Sequence, residues 1–279
     1  MKPKINEEKL VMQSVMACIH HPTVMHHEAL KLGYDGKNVN LPSVGGITYN
    51  VKIGDDVNFF AGDHIEPGVS ASNPNSSDNE ATVALACVLN EVTMVSGKAV
   101  GAKGFVTGFH GGIDHTICYF EKNDLEKMIP GDAMLIKAYG TGMKIEGFPE
   151  ITCQKISPLL YEKMGISAEN GKLKVDVKKV ISAEKVGAGL GSGDGNTGDI
   201  DILTGKGLRY GDIVALKDID TTFGRGYKKG AMTIGVIVHS NSIIPGHGPG
   251  VTSLFTCQKG KIVLEVNERA NIADYMGVK

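Results

Sequence analysis

Residues 129–137 read Ile-Pro-Gly-Asp-Ala-Met-Leu-Ile-Lys, a Gly-Asp turn that leads directly into an apolar run. Residues 209–217, Arg-Tyr-Gly-Asp-Ile-Val-Ala-Leu-Lys, repeat this pattern, and residues 53–57 are a weaker third copy. Glycine permits a sharp backbone reversal and Asp favours turns, so each copy predicts a turn that opens a buried strand. The repetition indicates either two related lobes or the same turn chemistry used repeatedly in a β-rich chain.

Turns of this kind occur along the whole 279-residue chain, which contains 37 glycines and no tryptophan. Short β-branched runs lie between them at residues 46–53, 173–177 and 261–266, and the middle run alternates apolar and charged residues. The pattern predicts a β-dominated α+β fold, a barrel-like or sandwich-like two-lobed architecture with few helices. We place the N-terminal β-rich lobe at residues 1–168 and the C-terminal one at 169–279, with one intertwined domain as the alternative.

Three stretches carry helix signals. Ser77 and Glu80 form a capping-box pattern ahead of apolar residues at helical spacing, which predicts a helix over 77–90 packed on one lobe. A second helix is predicted over 157–164, because it begins with Ser-Pro and ends before a glycine. The tail over 269–276 is the third candidate.

Composition excludes several classes of partner. The formal charge is −2 and only three of the 29 basic residues are arginine, so no basic surface for nucleic acid is expected. The five cysteines are far apart, which favours reduced thiols over a zinc ribbon or a redox pair. Without an apolar leader or a run of the ~20 apolar residues that a membrane span needs, we expect a soluble, cytoplasmic protein.

The first of three glycine-rich polar segments covers residues 62–68 and contains Asp63, His64 and Glu66. Carboxylates and an imidazole on one turn could bind a divalent metal ion. The N-terminus of the following helix could instead hold an anion, or these residues could form local turn hydrogen bonds. The sequence leaves all three interpretations open.

The second segment places His110 and His115 on either side of a Gly-Gly pair, with Asp114 between them. Five residues of glycine-rich loop neither require nor prevent binding of one ion by both rings. A metal-binding or general-base role is one interpretation, and structural or exposed histidines are the other.

The third segment, residues 193–201, contains Asp194, Asn196, Asp199 and Asp201. Its Gly-x-Gly-x-x-Gly precedes a run too short for the helix of a dinucleotide-binding fold, and no Gly-Lys-Ser/Thr occurs, so both nucleotide motifs are excluded. The carboxylates could bind calcium or magnesium through oxygen, although their spacing is not that of an EF-hand.

Two further histidines follow the polar segments. His239 ends an apolar strand and His247 lies in a Pro/Gly loop, both at positions where binding sites are often assembled. Each could line a pocket, or be a buried structural histidine or a turn residue. Nucleophilic catalysis has weak support, because no serine or cysteine lies in a recognisable catalytic motif.

Several longer strings carry a family resemblance. They lie at residues 41–50, 62–70, 110–112, 198–201, 239–240 and 246–251. They resemble a bacterial and archaeal family that carries a domain of unknown function, and the resemblance spans nearly the whole chain. It implies membership of that family and no particular activity.

A fainter similarity is to the acetamidase/formamidase family, through the order of residues 193–201, 211–217 and 230–238. This similarity implies a β-rich, two-lobed, metal-associated amidase. The turn in this chain is one residue longer than in those amidases, and the acidic residue of their late loop has no counterpart near His247. A shared fold does not by itself transfer the activity.

The leading functional hypothesis is a metal-dependent hydrolase of a small amide or other C–N bond, with Glu66 as the proton acceptor. A zinc, manganese or iron ion is expected, with ligands among Asp63, His64, His110, Asp114 and His115. The residues expected to help bind a small-molecule ligand are Asp194, Asn196, Asp199, Asp201, His239 and His247.

This hypothesis requires the loops around His64, His110 and Asp199 to lie together. Two alternatives stay open: a non-catalytic small-molecule or metal-binding protein, and a structural homo-oligomer. No nucleic-acid or membrane partner is expected.

Overall fold

The computed structural model describes residues 1–24, 35–37, 40–190, 198–243 and 246–278. Strands dominate it and its α-helices are short, which confirms the predicted β-dominated α+β class. The strands form two seven-stranded sheets and one three-stranded sheet.

The first sheet is built from residues 13–138. Its strands are β1 (Gln13–Ile19), β2 (Ile47–Thr48), β3 (Gly68–Ser72), β4 (Glu91–Met94), β5 (Lys103–His110), β6 (His115–Tyr119) and β7 (Ala133–Ala138). The strand order is β1-β7-β4-β5-β6-β3, and β3 pairs back with β1, so six antiparallel strands form a closed barrel. Strand β2 is attached outside this ring by its pairing with β3.

The other two sheets use residues 151–266. Their strands are β8 (Ile151–Cys153), β9 (Ile166–Glu169), β10 (Lys172–Val177), β11 (Lys179–Ile181), β12 (Val186–Leu190), β13 (Asp199–Ile202), β14 (Ile213–Asp220), β15 (Gly226–Ile237), β16 (Gly250–Cys257) and β17 (Ile262–Val266). The larger sheet has the order β11-β14-β15-β16-β13-β12, with β8 beside β16, and forms a half-barrel. The small sheet has the order β17-β10-β9.

Strand prediction from alternation succeeds where one face is buried. Strands β10 and β17 confirm the runs at 173–177 and 261–266, and the apolar side chains Leu173, Val175 and Val177 are buried as their spacing requires. The run at 46–53 forms only the two-residue strand β2.

The repeated Gly-Asp pattern marks the same turn three times. The glycine of each copy has a positive φ, between +84° and +95°. In each copy the Asp side chain accepts the backbone N–H of the third residue before it, at 3.0 Å for Asp132, 2.7 Å for Asp212 and 2.9 Å for Asp55. Strands β7 and β14 begin directly after the aspartate of the first two copies. The shared turn therefore explains the sequence echo without a duplication of lobes.

Helix α1 (Ser76–Leu85) packs against β1. Its N-cap is Asn75, whose side chain accepts the N–H of Asp78, so the predicted cap at Ser77 is wrong by two residues. The predicted end at residue 90 is also wrong, because the chain turns to extended backbone after Leu85. The buried ammonium of Lys155 donates to the carbonyl oxygens of residues 84 and 86, at 3.0 and 3.3 Å, and closes this end of the helix.

The remaining helices are short. Helix α2 (Lys122–Leu125) has a single turn and was not predicted. Helix α3 (Pro158–Lys163) confirms the helix predicted over 157–164; its N-cap is Ser157, whose side chain accepts the N–H of Leu160. Helix α4 (Ile272–Met276) begins three residues later than expected, because Asn271 is its cap.

All five cysteines are free, and burial raises the pKa of Cys153 to about 12. Among the residues described here, no helix combines the length and apolar character needed to cross a membrane. The proposed lobe boundary at residues 168/169 stays a prediction.

Candidate metal centre

The candidate site lies where the barrel meets the half-barrel. The hydroxyl of Thr252 on β16 accepts the N–H of Phe109 on β5 at 3.0 Å and donates to its carbonyl oxygen at 2.9 Å. The two sheets approach so closely that a Cβ on Gly108 would lie 2.0 Å from Cγ1 of Val238. The end of the β5–β6 hairpin is thereby fixed over the half-barrel.

Segment 63–66 is bound to the chain that follows β15. The N–H of Ile65 donates to Oγ of Ser240 at 2.8 Å, and the N–H of Ser240 donates to the carbonyl oxygen of Ile65 at 2.9 Å. His64 has φ +53°, an uncommon backbone conformation for a residue with a side chain. These contacts place its ring beside His239.

Two aspartates on β13 face the same centre. Asp199 and Asp201 are two residues apart on one strand, so their side chains share a face. The N–H of Gly111 in the hairpin turn donates to Oδ1 of Asp199 at 2.8 Å. This bond fixes one carboxylate oxygen and directs the other inward.

Four imidazole rings converge at this point. The ring centroids of His110 and His239 are 4.2 Å apart, and those of His64 and His239 are 5.0 Å apart. His247 lies edge-on to His64 at 5.5 Å. The loops around His64, His110 and Asp199 are therefore neighbours in space, as the hypothesis required.

Three of these rings have Nδ1 held by a hydrogen-bond acceptor. Nδ1 of His64 donates to Oδ2 of Asp63 at 3.0 Å, and Nδ1 of His110 donates to Oε1 of Glu66 at 2.6 Å. Nδ1 of His239 donates to the carbonyl oxygen of Ser240 at 2.9 Å. Such bonds fix the tautomer and the ring orientation of metal-binding histidines, and they assign ligation to Nε2.

His110, Asp199 and His239 form the first candidate group, with ligand atoms all within 4.8 Å of one another. Nε2 of His239 and Oδ2 of Asp199 are 2.7 Å apart, yet among the described residues neither atom has a hydrogen-bond partner of acceptable geometry. Buried polar atoms are nearly always satisfied. Two buried ligand atoms 2.7 Å apart without a well-formed hydrogen bond fit the ligands of an ion, so the chemistry of this donor set suits a metal.

The electrostatics of the group are those of a tight ion pair. Burial alone would lower the pKa of His239, but Asp199 and Asp201 raise it well above its ordinary value. Burial would raise the pKa of Asp199, and His239 with His110 lowers it. The aspartates thus stabilise positive charge at His239. A bound metal ion can supply that charge in place of a proton on the ring.

Gly250 on β16 makes room for this group. A Cβ at this position would lie 1.9 Å from Oδ2 of Asp199 and 2.2 Å from Nε2 of His239. Any larger residue would displace both side chains. A glycine next to a binding site is the signal by which the sequence could have revealed this position.

His64, Asp201 and His247 form a second group, whose ligand atoms also lie within 4.8 Å of one another. Nδ1 of His247 lies 3.3 Å from Oδ2 of Asp201. His247 is the most exposed member, with 35% of its side chain accessible, whereas the side chain of Asp201 is 7% accessible. Burial lowers the pKa of His64 against the opposing effect of Asp63, which favours the neutral, metal-binding ring.

Glu66 connects the first group to His115 and to the backbone of Gly45 through hydrogen bonds. It accepts hydrogen bonds from His110 Nδ1, from His115 Nδ1 at 3.0 and 3.1 Å, and from the N–H of Gly45 at 2.8 Å. Burial would raise its pKa, but the two histidines lower it well below the usual range. The side chain is fully enclosed and both oxygens are bonded.

Three residues predicted as metal ligands lie outside both groups. Asp63 is directed at His64, and its other oxygen accepts the hydroxyl of Ser242 at 2.6 Å. His115 lies behind Glu66, with its ring 4.6 Å from that of His20. Asp114 occupies the hairpin turn with φ +55°, a backbone role. Asp194 and Asn196 lie outside the described residues.

The hairpin corrects one further expectation. His110 and His115 are the last and first residues of β5 and β6, paired across the ladder, and not parts of one loop. The Gly-Gly pair between two apolar runs was the available signal for this hairpin. Ser242, which bonds Asp63, and Ser240, which bonds the backbone of Ile65, carried no comparable signal.

The comparisons with known proteins agree with this architecture. Residues 30–162 match the family described as "Domain of unknown function (DUF4438), N-terminal", and residues 163–276 match its C-terminal counterpart. A solved structure described as "Crystal structure of TM1086" is 41% identical, covers 99% of each chain and has a TM-score of 0.93. No curated protein matches the chain. The similarity to acetamidases and formamidases is not shown.

Proposed function

Since the chain belongs to the DUF4438 family, which carries no assigned function, we propose an activity from the site itself: metal-dependent hydrolysis of a small amide or other C–N bond. The observation that carries this proposal is the 2.7 Å contact between Nε2 of His239 and Oδ2 of Asp199, two buried atoms that make no hydrogen bond of acceptable geometry among the described residues. His110 completes this group.

The donor set favours zinc, manganese or iron. Imidazole nitrogens with carboxylate oxygens suit these divalent ions, and the groups contain no thiolate. An ion held there would polarise a carbonyl and lower the pKa of a bound water to about 7 in favourable cases.

The chain's own residues have separate roles in this proposal. Glu66 orients His110, and Asp63 orients His64. Because both oxygens of Glu66 are bonded, we assign it positioning and not the proton-acceptor role that the sequence suggested. Asp199 and Asp201 supply negative charge that balances the ion.

The test is metal content followed by turnover. We expect the purified protein to contain divalent metal by mass spectrometry, to lose activity on a panel of small amides after chelation, and to recover it on reloading. Asp199→Asn should remove the metal of the first group. Asp124→Asn, on α2 outside both groups and paired with the exposed Lys127, should change neither metal nor activity. Metal-free wild-type protein that takes up no added Zn²⁺, Mn²⁺ or Fe²⁺ would contradict the proposal.

Metal binding without catalysis is the second candidate function. Five of the six side chains in the two groups are buried, which favours tight retention of an ion over access by a substrate. Metal uptake with no turnover on any amide would favour this candidate. A small-molecule ligand and a homo-oligomeric state also stay predictions.

A further inference from the structure

We infer that the chain binds two divalent metal ions side by side, the second held by His64, Asp201 and His247. This inference rests on the metal binding proposed above and adds a distinct ion, with its own ligands, to the first group. It also narrows the reaction class to chemistry in which two ions act on one bond.

The second group has the same composition as the first. Each takes one histidine from the barrel half of the chain, one aspartate from β13 and one histidine from the segment after β15. The two aspartates are neighbours on one strand face, so their ligand groups must also be neighbours. Two sets of donors with the same composition favour two ions over one.

The carboxylate of Asp201 faces both groups. Its Oδ1 lies 3.4 Å from Nε2 of His239 in the first group, and its Oδ2 lies 3.3 Å from Nδ1 of His247 in the second. Two-metal hydrolytic sites hold their ions about 3.5–4 Å apart. A carboxylate with one oxygen toward each group is placed to bridge such a pair.

The orientation of His64 is fixed from behind. Asp63 is fully buried, accepts Nδ1 of His64, and is itself held by the hydroxyl of Ser242 and the N–H of Ile243. This arrangement parallels that of Glu66 behind His110. The positive φ of His64 is a conformation that functional sites often retain at a cost in stability.

Exposure differs between the two groups. The side chains of the first are at most 6% accessible, whereas that of His247 is 35% accessible. We therefore expect the second ion to exchange faster and to bind more weakly than the first. The second ion is also the one that an incoming substrate would reach.

The experiment is equilibrium dialysis of the chelated full-length protein against Co²⁺, with metal counted per chain. We expect two Co²⁺ in the wild type and one in His247→Ala. His21→Ala removes an exposed histidine outside both groups and should retain two. In Mn²⁺-loaded protein, EPR should show an exchange-coupled pair in the wild type and an isolated ion in His247→Ala.

The outcomes separate this inference from the function on which it rests. One Co²⁺ in the wild type overturns the second site and leaves the first standing, whereas none overturns both. Two Co²⁺ retained in both His247→Ala and Asp201→Asn overturn the ligand assignment. Circular dichroism identifies any variant that fails to fold, and His64→Gln then replaces it as the test of the second group.

Discussion

His110 and His115 face each other across one hairpin, and both donate Nδ1 to Glu66. The two histidines differ in the residues that surround the rest of the ring, including Nε2. The ring of His110 stacks on His239 beside Asp199, whereas that of His115 meets His20. The same residue type with the same orienting carboxylate is therefore a candidate ligand on one side of Glu66 and a structural residue on the other.

This contrast shows that an oriented imidazole is not sufficient evidence for a metal site. Nε2 of His115 is buried and, within the described part of the chain, has no hydrogen-bond partner. However, among the described residues no group of three ligand atoms includes His115. Convergence of several donors is the property that separates the two histidines.

The largest expected effect is that of His110→Ala. Outer-shell partners alone are worth about 10–100-fold in metal affinity, so loss of the ligand itself should cost more than about 100-fold. Isothermal titration with Zn²⁺ measures this. An affinity equal to that of the wild type would remove the distinction between His110 and His115.

Glu66→Gln should have the next largest effect. The amide keeps the size of the side chain but loses the charge that orients His110 and raises its basicity, so Zn²⁺ affinity should fall by about 10–100-fold. Metal titration with the wild type as reference checks this. If Glu66 were the proton acceptor, turnover at saturating metal would be lost while metal affinity stayed unchanged, and our reassignment would be wrong.

His115→Phe tests whether His115, in contrast to His110, has a structural role only. The aromatic ring is kept, but Glu66 loses one buried donor, so the free energy of unfolding should fall by about 1–3 kcal/mol. Zn²⁺ affinity should change by less than about tenfold, or 1.4 kcal/mol. Urea denaturation and metal titration of the same sample measure both. Loss of the ion in a folded variant would show that His115 is a ligand.

The smallest effect is expected for Asp114→Gly. Asp114 has φ +55° in the hairpin turn, a conformation that glycine adopts readily, so the free energy of unfolding should change by about 1 kcal/mol or less. Metal content should equal that of the wild type. A fall in metal content would restore Asp114 as a ligand.

Local chemistry predicted much of the fold. Alternation located β10, and the Gly-Asp turns located the starts of β7 and β14. Closure of the barrel was beyond such reasoning, because β1 pairs with β7 more than a hundred residues away. Helix α1 was misplaced because Asn75 and Ser77 are both good caps and the sequence does not rank them.

The candidate site shows the same division. His64, His110, Asp199 and His239 were all identified as candidates from their polar, glycine-rich or strand-end positions. The sequence also predicted that the loops around His64, His110 and Asp199 lie together. It did not predict their division into two groups, because that depends on the contact between the barrel and the half-barrel. The sequence suggested Asp63 as a ligand and Glu66 as the proton acceptor, and only the hydrogen bonds show that both face histidines.

Each candidate group combines one histidine from residues 30–162 with an aspartate and a histidine from residues 163–276. Neither family domain alone can therefore assemble either group. An ion bound there would link the two family domains, and its binding free energy would add to the free energy of their association. The midpoint temperature of thermal unfolding would then rise with the free metal concentration, and loss of the ion would lower the stability of the whole molecule.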